Sequence, residues 1–152
     1  MRLSRFFRHR KESDPLASSD IQSVSRSHVG RFRTLNEDRI LDRPDSRLWA
    51  IADGMGGHVN GSLAAETVIA HLGGLPLVQE PAAIRAAIEA ANGSILEQAG
   101  GKSGTTIVAL KIFDDCARIW WAGDSRAYRL RDGKVELLTR DHSLVQELVE
   151  VG

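Results

Sequence analysis

The apolar run Leu48-Trp49-Ala50-Ile51-Ala52 ends in a carboxylate, Asp53, and Gly54-Met55-Gly56-Gly57-His58 follows at once. A strand ending this way presents an oxygen ligand, and the glycines let the chain turn sharply and pass close to an ion or a phosphate. Taken alone, the run also describes an ordinary glycine-rich turn. Further donors stand upstream at Glu37-Asp38. Glu37, Asp38, Asp53 and the Gly54 carbonyl are hard oxygen donors of the kind that Mg²⁺ and Mn²⁺ take. The set favours those ions over zinc because it uses no cysteine or histidine. Arg33 lies four residues before Glu37 and can reach the same rim of a sheet. There its planar guanidinium suits two phosphate oxygens, although taken by itself it reads first as one half of a surface salt bridge.

The elements that must position these groups follow from periodicity. Ile21 to His28 and Arg39 to Asp42 read as strands, and Pro44-Asp45-Ser46 as the turn before the strand that ends at Asp53. Ser62 to Leu72 reads as a helix with Leu63, Val68 and Leu72 toward the core, stopped by Gly73-Gly74. A second helix starts at Pro81 and carries Ile84, Ile88, Ala91 and Ile95 at helical spacing. Thr106 to Ile112 and Ala117 to Ala122 are rich in strand formers, with Asp114-Asp115 turning between them. Tyr128 to Arg131 and Lys134 to Leu138 flank Asp132-Gly133, a two-residue hairpin signal. Leu144 to Val151 reads as a further helix begun by Asp141-His142-Ser143. Strands, two helices, then strands exclude a simple βαβ series and predict α+β layers.

With 152 residues, 42% hydrophobic and 26% charged, the chain has room for one domain with a core. Its net charge is zero, yet the first eleven residues hold four Arg and one Lys without an acid. Residues 12–152 therefore carry 15 basic against 20 acidic groups, a balance that speaks against a nucleic-acid partner. Residues 1–20 read as a basic tail and polar linker, disordered, with contact of residues 1–11 to an anionic membrane surface as the alternative. No apolar stretch is long enough for a secretory core or a membrane span. A single cysteine, Cys116, favours a reducing compartment, the cytoplasm, and its two neighbouring acids argue against a nucleophilic thiolate. The glycine run lacks the Lys-Ser/Thr ending of a nucleotide P-loop, and the contiguous Asp141-His142-Ser143 cannot form a relay of three side chains.

Taken in order, four segments carry a resemblance. Ser27-His28-Val29-Gly30-Arg31-Phe32-Arg33-Thr34-Leu35-Asn36-Glu37-Asp38, Ala52-Asp53-Gly54-Met55-Gly56-Gly57, Ser103-Gly104-Thr105-Thr106 and Ala122-Gly123-Asp124-Ser125-Arg126-Ala127-Tyr128 resemble the successive motifs of bacterial metal-dependent protein phosphatases (protein phosphatase 2C, PPM type). Leu138-Thr139-Arg140-Asp141-His142-Ser143 fits the same series. The resemblance covers residues 21–152, a partial phosphatase domain, and the ordered set is far more specific than any one motif. It implies an α-β-β-α sandwich, N-terminal part only. It also implies hydrolysis of phosphoserine and phosphothreonine esters in proteins by a metal-activated water, with Mn²⁺ or Mg²⁺ as cofactor.

In such a two-metal site the resemblance has Asp53 bridge the ions, Glu37 and the Gly54 carbonyl serve one of them, and Asp38 support the pair. Asp124 joins an additional, weaker metal site, with a plain aspartate of the Gly123-Asp124-Ser125-Arg126 turn as the alternative; Arg33 binds the substrate phosphate, and Thr106 supports the site from its strand. Arg31 faces solvent. Eukaryotic members offer a histidine near the metal aspartate as general acid. Here Met55 follows Gly54, as in bacterial members, which leaves the proton donor unassigned, with His58 one candidate and a surface or packing histidine its other reading. The family draws two more metal aspartates from later Asp-Gly and Asp-Asn motifs that this chain does not reach, so the resemblance implies truncation before the C-terminal metal-binding motifs. Three outcomes stay open: an active phosphatase, an inactive remnant that binds a phosphoprotein or a cognate Ser/Thr kinase, or a fragment that completes its site by association.

Overall fold

In the computed structural model, which describes residues 5–8, 21–56, 59–100, 102–114 and 116–142, the α+β class expected from the sequence is what forms. The elements are β1 (Arg5–Arg8), β2 (Asp38–Arg43), β3 (Leu48–Met55), α1 (Val59–Gly73), α2 (Pro81–Ala99), β4 (Gly104–Thr105), β5 (Ile107–Ile112), β6 (Cys116–Ala122), β7 (Tyr128–Arg131) and β8 (Lys134–Leu137). An antiparallel sheet runs β1-β6-β5-β3-β2, with β4 paired to the far end of β3, and β7-β8 form a separate hairpin. Asp132 and Gly133 both take positive φ, 50° and 72°, as a tight hairpin turn requires.

Alternation along β3 decides what faces what. Leu48, Ala50 and Ala52 are buried, while Ile51 and Asp53 lie exposed on the opposite side. α1 covers the buried face of β3 and β2, and α2 packs on α1. The core between them gathers Leu48, Ala52, Val68, Leu72, Ile84, Ala91, Ala109 and Trp120. Alanines on β3 and α1 allow close approach, and Trp120, 2% exposed, fills the space from β6. Trp120→Ala is expected to cost about 3–5 kcal/mol, seen as a lower urea midpoint; a loss under about 1 kcal/mol would mean that the core collapses freely around the void.

Several expectations need correction. Ile21 to His28 is not a strand: it has no apolar face to bury, Val24 being 97% exposed, and it is held through side chains, Ser23 Oγ donating to Asp42 Oδ1 at 2.7 Å, not by a backbone ladder. Arg5–Arg8, assigned to the disordered tail, forms β1 along the edge of β6, with Arg5 opposite Ile119 and Arg8 opposite Cys116. An unpaired edge strand leaves a row of donors and acceptors open, which explains why a short chain segment docks there. Leu63 is 48% exposed and Ala64 and Ala65 take its place in the core. β3 does not end at Asp53, because Gly54 and Met55 pair with Thr105 and Gly104 of β4. The chain turns only at Gly56, whose φ is +132°. The helix expected over 144–151 and the rest of the tail lie outside the described residues.

Candidate metal centre

Pairing of β2 with β3 sets Asp38 directly opposite Asp53. Two carboxylates across a strand pair repel, so this arrangement makes sense only with a proton or a cation between them. Asp124 enters from the turn after β6 and Glu37 from the loop before β2. Asp53 is pushed above the usual carboxylate range first by burial, then by the charges of Asp38, Asp124 and Glu37, and by a hydrogen bond with Asp38. One side of Asp53 stays open to water. Burial and like charge act together there, the charges coming from the adjacent Glu37 and Asp38 on one side and from Asp124 on the other.

A second feature lies beneath. Glu37 Oε1 is buried with no hydrogen-bond partner. It sits where a side chain on Gly61 would be, 2.4 Å from the position of a Cβ there. A Cβ on Gly54 would lie 2.1 Å from the Gly61 carbonyl oxygen. The start of α1, the end of β3 and the Glu37 loop are thus pressed together in a way only glycine permits. A buried carboxylate oxygen without a donor is an acceptor awaiting a positive charge, and hard oxygen donors of this type fit Mg²⁺ or Mn²⁺. The cage is not closed: among the described residues, no three His, Cys, Asp or Glu side chains come together tightly enough to hold an ion alone.

Hydrogen bonds fix the donors. Thr106 Oγ1 accepts the Asp53 N–H at 3.1 Å, and the Thr106 N–H returns to the Asp53 carbonyl at 2.9 Å. Thr105 Oγ1 donates to the same carbonyl at 3.0 Å. Asp38 is held by Ser27 Oγ at 3.1 Å, and its N–H by Asn36 Oδ1 at 3.0 Å. Arg39 points to the other side of β2, where Nη1 donates to the carbonyls of Asn36 at 3.2 Å and Asp38 at 2.9 Å, and Nη2 donates to Ser62 Oγ. Removing that staple leaves part-buried carbonyls unpaired, so Arg39→Ala is expected to lower stability by about 1–3 kcal/mol. Equal urea midpoints for the two proteins would show that Arg39 holds nothing.

Of the residues singled out from the sequence, Asp38, Asp53, Asp124 and Glu37 share one field, and Thr106 stands behind Asp53. Arg33 is exposed on the loop before β2, without a hydrogen bond or ion pair among the described residues, and Arg31 is exposed as well. His58 lies outside the described residues. Ser27, Asn36, Arg39, Gly61 and Ser125 were missed. Strand alternation is a signal for Arg39, since neighbours of an inward-facing donor must face the helices, and a glycine inside a helix-forming run is one for Gly61. Cys116 is partly buried at the start of β6.

Comparison with known proteins points to one family. Over 142 residues the chain is 37% identical to the serine/threonine protein phosphatase PstP of Mycobacterium tuberculosis, covering 87% of this chain and 27% of that protein. Among solved structures, PppA, a key regulatory component of T6SS in Pseudomonas aeruginosa, superimposes with a TM-score of 0.73 at 34% identity, covering 97% of this chain and 60% of that one. The catalytic domain of PstP in complex with two manganese ions gives 0.72 at 32% identity, over 99% and 61%. The chain thus spans less than two thirds of each. A profile of protein phosphatase 2C matches residues 18–148, and the chain belongs to that family.

Proposed function

We propose that this chain carries the N-terminal donor set of a metal-dependent serine/threonine phosphoprotein phosphatase. The observation that supports it most is the register that sets Asp38 opposite Asp53, with the orphaned Glu37 carboxylate and Asp124 near enough for their charges to act on Asp53. Asp53, Glu37, Asp38 and Asp124, with the Gly54 carbonyl, would hold Mn²⁺ or Mg²⁺. When bound, such cations lower the pKa of a water and neutralise phosphoryl oxygens. Thr106 keeps the Asp53 backbone in place, while Ser27 and Asn36 orient Asp38. Arg33, exposed and unpaired among the described residues, is free to take a substrate phosphate as a fork. Substrates are phosphoserine and phosphothreonine proteins, and a cognate Ser/Thr kinase is the natural opposing partner. We place the chain in the cytoplasm; no helix among the described residues is long and apolar enough to cross a membrane.

The test is manganese-dependent hydrolysis of a phosphothreonine peptide by the full chain, with Asp53→Ala as control. Turnover that needs both manganese and Asp53 supports the reading. A folded chain that binds the phosphopeptide without turning it over favours the binding module instead. Arg33→Lys is expected to raise KM by about 10-fold with kcat little changed, because lysine keeps the charge and loses the fork; an unchanged KM removes Arg33 from the phosphate site.

A further inference from the structure

Arg126 and Asp141 form a forked ion pair: Nε lies 2.9 Å from Oδ1 and 3.2 Å from Oδ2, and Nη2 lies 2.5 Å from Oδ2. The pair is exposed on the arginine side and well covered on the aspartate side, at 49% and 18%. Isolated exposed pairs contribute little to stability, so its placement asks for another reason. Its neighbours supply one. Ser125, next to Arg126, hydrogen-bonds Thr106 Oγ1 at 2.7 Å, and Thr106 is bonded twice to the Asp53 backbone. Gly123, at φ +97°, lies so close to Thr106 that a Cβ there would meet its Cγ2 at 2.7 Å. From the other side, the segment holding Asp141 is fastened over the same turn. The His142 N–H donates to the Gly123 carbonyl at 2.9 Å, the Ala127 N–H to Thr139 Oγ1 at 3.1 Å, and Trp121 Nε1 to the Arg140 carbonyl at 2.8 Å.

A continuous chain of contacts therefore runs Asp141, Arg126, Ser125, Thr106, Asp53, and Asp124 is the residue that precedes Ser125 in the same turn. We propose that the Arg126–Asp141 pair is a latch that fixes the Gly123-Asp124-Ser125 turn on Thr106, and so holds Asp124 in place beside the Asp53 strand and sets how well the carboxylate cluster takes a cation. Arg126 and Asp141 are positioning residues here; neither is a ligand. This rests on the reading of the carboxylate cluster as a cation site. Forked geometry matters, because a single hydrogen bond would leave the turn free to rotate about it.

The experiment measures Mn²⁺ binding to the full chain by the loss of the free-ion electron paramagnetic resonance signal, for the wild type, Arg126→Ala, Asp141→Asn, the double variant and Arg126→Lys. Amide exchange at Thr106 in the metal-free proteins is followed by NMR. The latch predicts about 10-fold weaker Mn²⁺ binding for each single variant, as for other groups that orient metal ligands. It predicts no further loss in the double variant, an intermediate value for Arg126→Lys, and faster exchange of the Thr106 N–H in the alanine variant. Unchanged Mn²⁺ affinity with only a lower melting temperature would overturn it while leaving the cation site intact. A wild type that binds no Mn²⁺ would overturn the site reading itself, and the latch with it.

Discussion

Asp53→Asn is expected to raise the melting temperature of the metal-free chain at neutral pH and to lower manganese-dependent hydrolysis by at least about 10³-fold. Both results have one cause. In the fold, burial and the charges of Asp38, Asp124 and Glu37 hold the Asp53 carboxyl above its usual range. A raised carboxyl pKa means that the folded state binds the proton more tightly than the unfolded chain does. The associated stability is fully present below the ordinary carboxylate pKa and is lost as pH rises through the raised folded value. At neutral pH the metal-free chain therefore carries an ionised Asp53 at a cost, and asparagine removes it. Mn²⁺ reverses the order, because an ion bound only to the native state adds stability, about 2.7 kcal/mol at 100 times its Kd. Melting curves at neutral and mildly acidic pH, with and without Mn²⁺, check this. An asparagine variant no more stable than the wild type without metal would show that the carboxylates do not converge as described.

Gly54→Ala is expected to be the most damaging glycine-to-alanine change among the described residues. The added carbon would sit 2.1 Å from the Gly61 carbonyl oxygen, 2.4 Å from its carbon and 3.1 Å from the Glu37 carbonyl oxygen, all backbone atoms. Backbone cannot step aside as a side chain can, so β3 must part from the first turn of α1. The cost is about 3 kcal/mol, the upper end of overpacking effects, and Mn²⁺ affinity goes with it. Gly61→Ala is the informative contrast. Its Cβ meets the end of the Glu37 side chain at 2.4 Å but the nearest backbone only at 3.0 Å. Alanine also favours the helix by roughly 0.5–1 kcal/mol over glycine. That variant should stay near wild-type stability and still lose Mn²⁺ affinity, because Glu37 is displaced. Equal destabilisation by the two alanines, read from urea midpoints, would refute this account of the packing.

Much of the architecture was legible in the chain. Asp132-Gly133 marks its hairpin because two positive φ angles in succession suit those residues. Ile84, Ile88, Ala91 and Ile95 are all buried, as their spacing requires. The order of the motifs around Glu37, Asp53, Thr106 and Asp124 identified the family, and the matched profile over residues 18–148 agrees. Local pattern failed where a partner strand decides. Gly54 and Met55 look like a turn, yet β4 draws them into the sheet. Arg5–Arg8 looks like a solvated tail, yet β6 offers it an edge.

What the residues determined by themselves is the chemistry on offer: oxygen donors without sulfur or imidazole, an arginine fork, and glycines where a backbone must come close. What only the tertiary structure decided is which of these meet. Register put Asp38 opposite Asp53, and the contact of α1 with β3 left Glu37 Oε1 buried beside Gly61 without a partner. Side-chain periodicity reports which face a residue takes, whereas backbone hydrogen bonds are nearly blind to sequence. The identity and register of neighbouring strands are therefore settled by the packing of the whole domain.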